Sequence, residues 1–188
     1  MRHVVVAIAF AVSLASVMAS PARAEVTASG PAGFVLKMES AVAAEPDKVF
    51  DAVLRMGEWW NPEHTYSGNS GSLKLTNEPG GCFCEQLPGG GFVRHGTVEF
   101  SSRGKTLRIA GALGPLQGMG AYGLMAFSFQ KAGTGTKLVV TYTVSGFATG
   151  KGYEELAAPV NEVLTDQLAR LKRFVETGKP AEAKPKAG

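Results

Sequence analysis

Cys82 and Cys84 are the chain's only cysteines, and with Phe83 between them they open the short list of side chains that could do chemistry. Two residues apart on an extended strand, their Cα atoms stand about 6.5–7 Å apart, near the upper limit for a disulfide, so a bridge between them requires a bulge. If the Pro88-Gly-Gly-Gly91 stretch is the turn of a hairpin, Cys84 faces His95. Two thiolates and an imidazole on one sheet face suit zinc or copper, with His64 as a fourth ligand of unfixed position. The plainer alternative is a pair of small residues on a partly covered strand, with no metal and no cofactor.

The same register sets Glu85 opposite Arg94 and Phe83 opposite Gly96. Phe83, Glu85, Leu87, Phe92, Arg94, Val98 and Phe100 then share one face, which the following turn near Ser102-Arg103-Gly104 marks as inward. A slip of one residue would invert this assignment. An acid and a guanidinium under an apolar roof make either a structural ion pair or a polar anchor. As an anchor, Arg94 grips a carboxylate or phosphate, while Glu85 orients it or serves as a base with a raised pKa. His64 and Tyr66 follow Trp59-Trp60 on a polar loop, and with Glu85 they are the catalytic candidates. The tryptophans themselves read as core. Gly111–Gly120 carries Leu113, Leu116 and Met119 on a glycine-rich background, which suits either a lid or a bulged connection. Nucleophile elbows, H-E-x-x-H, dinucleotide fingerprints and P-loops are absent.

These residues need a frame, and its central member is the stretch Gly152–Gly178. Tyr153, Leu156, Val160, Leu164, Leu168, Leu171 and Phe174 recur at three- and four-residue steps, one face of a helix. Gly178 and Pro180 end it, and Pro159 predicts a kink or a start near Ala158. Before it, Phe34–Ala44 reads as a first strand. Pro46 opens a short helix faced by Val49, Phe50, Val53 and Leu54, and a second follows around Trp59. Strands then follow at Ser72–Thr76, Cys82–Leu87, Phe92–Ser101, after the Ser102-Arg103-Gly104 turn, at Tyr122–Gln130 and at Lys137–Phe147. The class is α+β, with about seven antiparallel strands around a long C-terminal helix.

Of the 188 residues, 1–24 read as a secretory signal peptide: Arg2, an apolar Val4–Val17, and Ala22-Arg23-Ala24 before Glu25. The apolar run falls short of the roughly 20 residues that span a bilayer. Residues 25–33 read as a flexible lead-in, 34–178 as the domain, and 179–188 as a disordered Pro-, Ala- and Lys-rich tail. The overall +3 comes from the ends of the chain. The domain is near neutral, so the basic pI gives no argument for nucleic acid or an anionic membrane; no nucleic-acid partner and no stable membrane insertion after signal cleavage are expected.

The order of elements, together with Ala44-Glu-Pro-Asp-Lys-Val-Phe50 followed by Trp59-Trp60, resembles the START-like or Bet v 1-like (SRPBCC) superfamily. The "P-x-x-V-F … W" opening is similar to that of its Hsp90-activator-like and polyketide-cyclase-like branches. The resemblance implies a helix-grip fold with an apolar cavity between sheet and C-terminal helix. The leader departs from those mostly cytosolic branches, so no chaperone role is carried over. The expectation is a periplasmic or secreted binder of a small hydrophobic or amphipathic molecule. Its walls would be Phe83, Phe92, Phe127, Tyr142, Leu164 and Leu168, with Glu85 and Arg94 as the polar contact. The alternatives are a cyclase- or hydrolase-type enzyme using the same cavity, and a protein-interaction module built on Gly111–Gly120.

Overall fold

The structure is a computed structural model that describes residues 23–147 and 152–180. The leader up to residue 22 and the tail from residue 181 lie outside the described residues. Eight antiparallel strands form one sheet: β1 (Arg23–Gly30), β2 (Gly33–Val42), β3 (Leu73–Leu75), β4 (Cys82–Gln86), β5 (Phe92–Ser102), β6 (Thr106–Ala110), β7 (Tyr122–Ala132) and β8 (Gly135–Ser145). Their order is β1-β2-β8-β7-β6-β5-β4-β3. Helices α1 (Pro46–Leu54) and α2 (Met56–Trp59) follow β2, and α3 (Glu154–Thr177) follows β8.

This is a helix-grip fold with one more strand than the sequence predicts. The extra strand is β1. Of residues 25–33, expected as a lead-in, 25–30 belong to β1, which pairs with β2 from Arg23 opposite Glu39 to Gly30 opposite Gly33. Most of its described side chains are exposed, so no period-two pattern marks it.

Alternation along β2, β7 and β8 sends Phe34, Leu36, Met38, Met125, Phe127, Phe129, Leu138, Val140, Tyr142 and Val144 into the core. The α3 face answers with Leu164, Leu168, Leu171 and Phe174. The helix starts at Glu154 and runs through Pro159. It stops where Gly178 adopts φ 76° and donates its N–H to the Phe174 carbonyl at 2.8 Å, as the sequence predicts.

A buried polar seam fixes α3 to the end of α2. Gln167 Oε1 accepts from the Asn61 backbone N–H at 2.8 Å, Asn61 Nδ2 donates to Asp166 at 2.9 Å, and Arg170 Nε donates to the Trp59 carbonyl at 2.9 Å. Trp59 is core, as expected, its indole N–H bonded to the Ala52 carbonyl at 2.8 Å. Leu116, expected on a lid or contact loop, is fully buried and plugs the core beside a short 3-10 turn, Gly114–Leu116.

Candidate functional site: an apolar cavity walled by a buried Glu85–His95 pair

Strand β5 carries two irregularities, and the first sets the site. Phe83 pairs with Gly96, but Cys84 pairs with Arg94 and Glu85 with Val93. His95 is therefore an extra residue, the signature of a β-bulge. The bulge turns His95 inward beside Phe83, their ring centroids 4.9 Å apart. Arg94 and Phe92 turn outward instead, Phe92 to 69% exposure. Both expected cavity residues are thus corrected to the outer sheet face. A second shift, between Val98 and Phe100, sends Phe100 outward too, where the Arg108 guanidinium lies 4.4 Å above its ring.

Gly96 and Gly111 let the strands close on this bulge. A Cβ on Gly96 would lie 2.6 Å from Ile109 Cγ2, and one on Gly111 2.0 Å from the His95 carbonyl oxygen. Neither space exists, so neither position accepts a side chain without local movement.

Glu85 is fully buried, as an inward acid should be, but its partner is not Arg94. His95 Nε2 lies 2.9 Å from Glu85 Oε2, and the backbone N–H groups of Tyr66 and Ser67 donate to the same carboxylate. Burial by itself would raise this carboxyl. The bonds from Ser67, His95 and Tyr66 outweigh burial and hold it below the ordinary value of 4.5. The expected raised base is corrected to a carboxylate that stays ionised. An ionised carboxylate only accepts, so the hydrogen between the two residues belongs to His95 Nε2. Its Nδ1 has no partner among the described residues.

Beside this pair lies a cavity of about 570 Å³. Helix α3 supplies Leu156, Pro159, Val160, Val163 and Leu164 to one wall. The opposite wall is Phe83, Leu73, Trp60 and His95, and the rim is formed by Leu113–Pro115 and His64–Tyr66. Trp60 is steered by its indole N–H, which donates to the His64 carbonyl at 3.1 Å. Tyr66 donates its hydroxyl to the Gly114 carbonyl at 3.0 Å, so the two rim segments are tied together.

Among the expected walls, Phe83 and Leu164 line this cavity, and Glu85 sits behind His95. Phe127 and Leu168 border a separate void of about 20 Å³, enough for about one water. Tyr142 lines neither. Its hydroxyl accepts from the Leu113 N–H at 2.9 Å and donates to the Gly111 carbonyl, bracing the rim loop, and burial pushes its phenol up to about 12. His64 and Tyr66 stand at the rim, as expected, both exposed.

The candidate metal set Cys82, Cys84 and His95 is not assembled. Cys82 and Cys84 are joined to each other, with Cα atoms 5.3 Å apart, within reach of a bridge. Their strand positions face outward, and His95 faces the cavity.

Fold and site together define a helix-grip protein with an open apolar cavity between α3 and the sheet. The chain belongs to the polyketide cyclase/dehydrase and lipid transport family, whose model matches residues 34–176. Three solved structures share the fold. CalU16 from Micromonospora echinospora is 14% identical, with TM-score 0.56 over 85% of this chain and 88% of its own. The conserved protein EF2215 from Enterococcus faecalis is 17% identical, with TM-score 0.58 over 83% and 79%. An uncharacterised protein from Rhizobium leguminosarum is 20% identical, with TM-score 0.56 over 84% and 99%. Among curated protein sequences, none matches.

Proposed function

We propose that this protein binds a small, mostly apolar molecule that carries one hydrogen-bond donor, held with that donor at His95. The observation that carries the proposal is the cavity of about 570 Å³, apolar on nearly all sides, with one buried imidazole in its wall. Ligand sites of this kind combine greasy walls with a few fixed polar groups. Glu85 is the group that fixes His95: it selects the tautomer with hydrogen on Nε2, which leaves Nδ1 as the acceptor. The family's description, which includes lipid transport, agrees with an apolar cargo. The basic start, apolar run and Ala22-Arg23-Ala24 of the leader support a periplasmic or secreted location.

Fluorescence titration with 2-naphthol, alongside native mass spectrometry of the full chain, tests this. Saturable one-to-one binding is expected, and Val163→Trp, which fills the cavity from α3, should abolish it while leaving the thermal midpoint near wild type. An absence of saturable binding, or equal binding by Val163→Trp, overturns the proposal.

One observation favours a second reading: an imidazole oriented by a carboxylate and open to a chamber is also a general base. Hydrolysis of a 4-nitrophenyl ester by wild type and not by His95→Ala would support the hydrolase-type enzyme, with His64 and Tyr66 at its mouth. Rates equal to buffer end it.

A further inference from the structure

On the outer face of the sheet, directly behind Phe83, the cross-strand row through Cys84 reads Lys74, Cys84, Arg94: Lys74 pairs with Cys84 from β3 and Arg94 from β5. Direct cross-strand neighbours hold their Cβ atoms about 4.5–5.5 Å apart. Lys74 and Arg94 are both exposed, and neither has an ion-pair partner among the described residues. The other residues facing Cys84 are Cys82 and Gln86 on its own strand and Phe92 and Thr97 on β5, so no carboxylate opposes the two cations. Glu85 lies on the opposite face. The bridge itself closes only three residues, the loop length at which a disulfide restricts the unfolded chain least. Stability therefore gives it little purpose, whereas two unpaired cations beside one sulfur give it a chemistry.

We propose that Cys82–Cys84 is a redox-active disulfide that exchanges with thiols, with Cys84 as the leaving group stabilised by Lys74 and Arg94. A thiolate of an external dithiol attacks Cys82 Sγ, forming the mixed disulfide and breaking the Cys82–Cys84 bond. Cys84 leaves as a thiolate between its two cations. The partner's second thiol, losing its proton, then attacks its own sulfur in the mixed disulfide and expels Cys82, which takes up a proton. Two electrons pass from the dithiol, now a disulfide, to the pair. Both sulfurs sit on part-exposed residues, so the attack needs no unfolding. The bulge that brings His95 to the cavity is also what places Arg94, rather than His95, opposite Cys84. One irregularity thus serves both faces of the sheet.

The test is the pH dependence of iodoacetamide alkylation of the fully reduced chain, mapped separately to Cys82 and Cys84. The midpoint for Cys84 is expected about one to two pH units below the roughly 8.5 of an ordinary cysteine. In the double variant Lys74→Gln/Arg94→Gln it should rise by about one unit. In a glutathione titration at a pH above both midpoints, that variant's disulfide should survive a ratio of squared GSH to GSSG concentration about tenfold higher, the equilibrium equivalent of one unit. Neither substitution touches the core, and circular dichroism checks that the variant is folded. A midpoint at or above 8.5 in the wild type, or one that the double variant leaves unmoved, overturns the proposal and reduces the bridge to a staple.

Discussion

His95 Nε2 and Glu85 Oε2 lie 2.9 Å apart, and each residue has a task the other makes possible. Glu85 is out of contact with the cavity and His95 is in it. The carboxylate fixes the imidazole, and the imidazole is what a bound molecule meets. A first prediction separates the two roles. Wild type should prefer 2-naphthol over 2-methoxynaphthalene by about tenfold, the worth of one hydrogen bond in a dry site. His95→Phe should bind both alike. A preference retained in His95→Phe, measured by the same fluorescence titration, would remove His95 as the anchor.

Glu85 accepts from Tyr66, Ser67 and His95 while fully buried, so its loss is felt in the fold. Glu85→Gln should cost about 1–3 kcal/mol in urea unfolding, because an amide cannot accept on both sides and brings its own donor into the site. A cost below a few tenths would mean that the three bonds are not made in solution.

The same carboxyl gives a pH dependence of definite sign. Its folded value is held below 4.5, so its contribution to stability is present above 4.5 and is lost as pH falls through the lower folded value. The stability difference between wild type and Glu85→Gln should therefore shrink as pH is lowered from 5 towards about 2. A difference that stays constant over that range would contradict the shift. Thermal midpoints of both proteins across the range check it.

Gly111→Ala tests the packing beneath the bulge. The new methyl would lie 2.0 Å from the His95 carbonyl oxygen, which is backbone and cannot swing aside. A loss of about 1–3 kcal/mol is expected, with a weakened preference for 2-naphthol as His95 is displaced. Gly118→Ala, whose nearest atom is 3.7 Å away, is the control and should be close to neutral.

The frame of this protein is legible in its sequence because its signals are strongly periodic or strongly punctuated. Tyr153 to Phe174 announces α3, Gly178 announces its end, and Pro46 and the paired tryptophans announce the short helices. The site is legible only in part, for one physical reason. Assigning faces along β4 and β5 assumes unbroken alternation, and the bulge at His95 breaks it. Phe83 and Glu85 lie on β4, whose own alternation is unbroken, and both face inward as expected. Phe92 and Arg94 lie beyond it on β5 and land on the wrong face. Gly96 carried the available warning, since an isolated glycine inside a strand often marks a bulge. Strand β1 is silent in the sequence for a different reason: an edge strand with mostly exposed side chains has no hydrophobic pattern to show.

The pairing of β2 with β8 has a kinetic consequence. Gly33 finds its partner in Ser145, and Val42 in Thr136, so two neighbouring inner strands of the sheet join segments from opposite ends of the domain. The helix that covers them is last in the sequence. Contacts of such long range slow folding towards milliseconds to seconds, because the loop they close must be ordered before they reward it. A chain interrupted before Leu156 would lack the α3 wall of its chamber. The cavity is complete only once α3 has packed against the sheet.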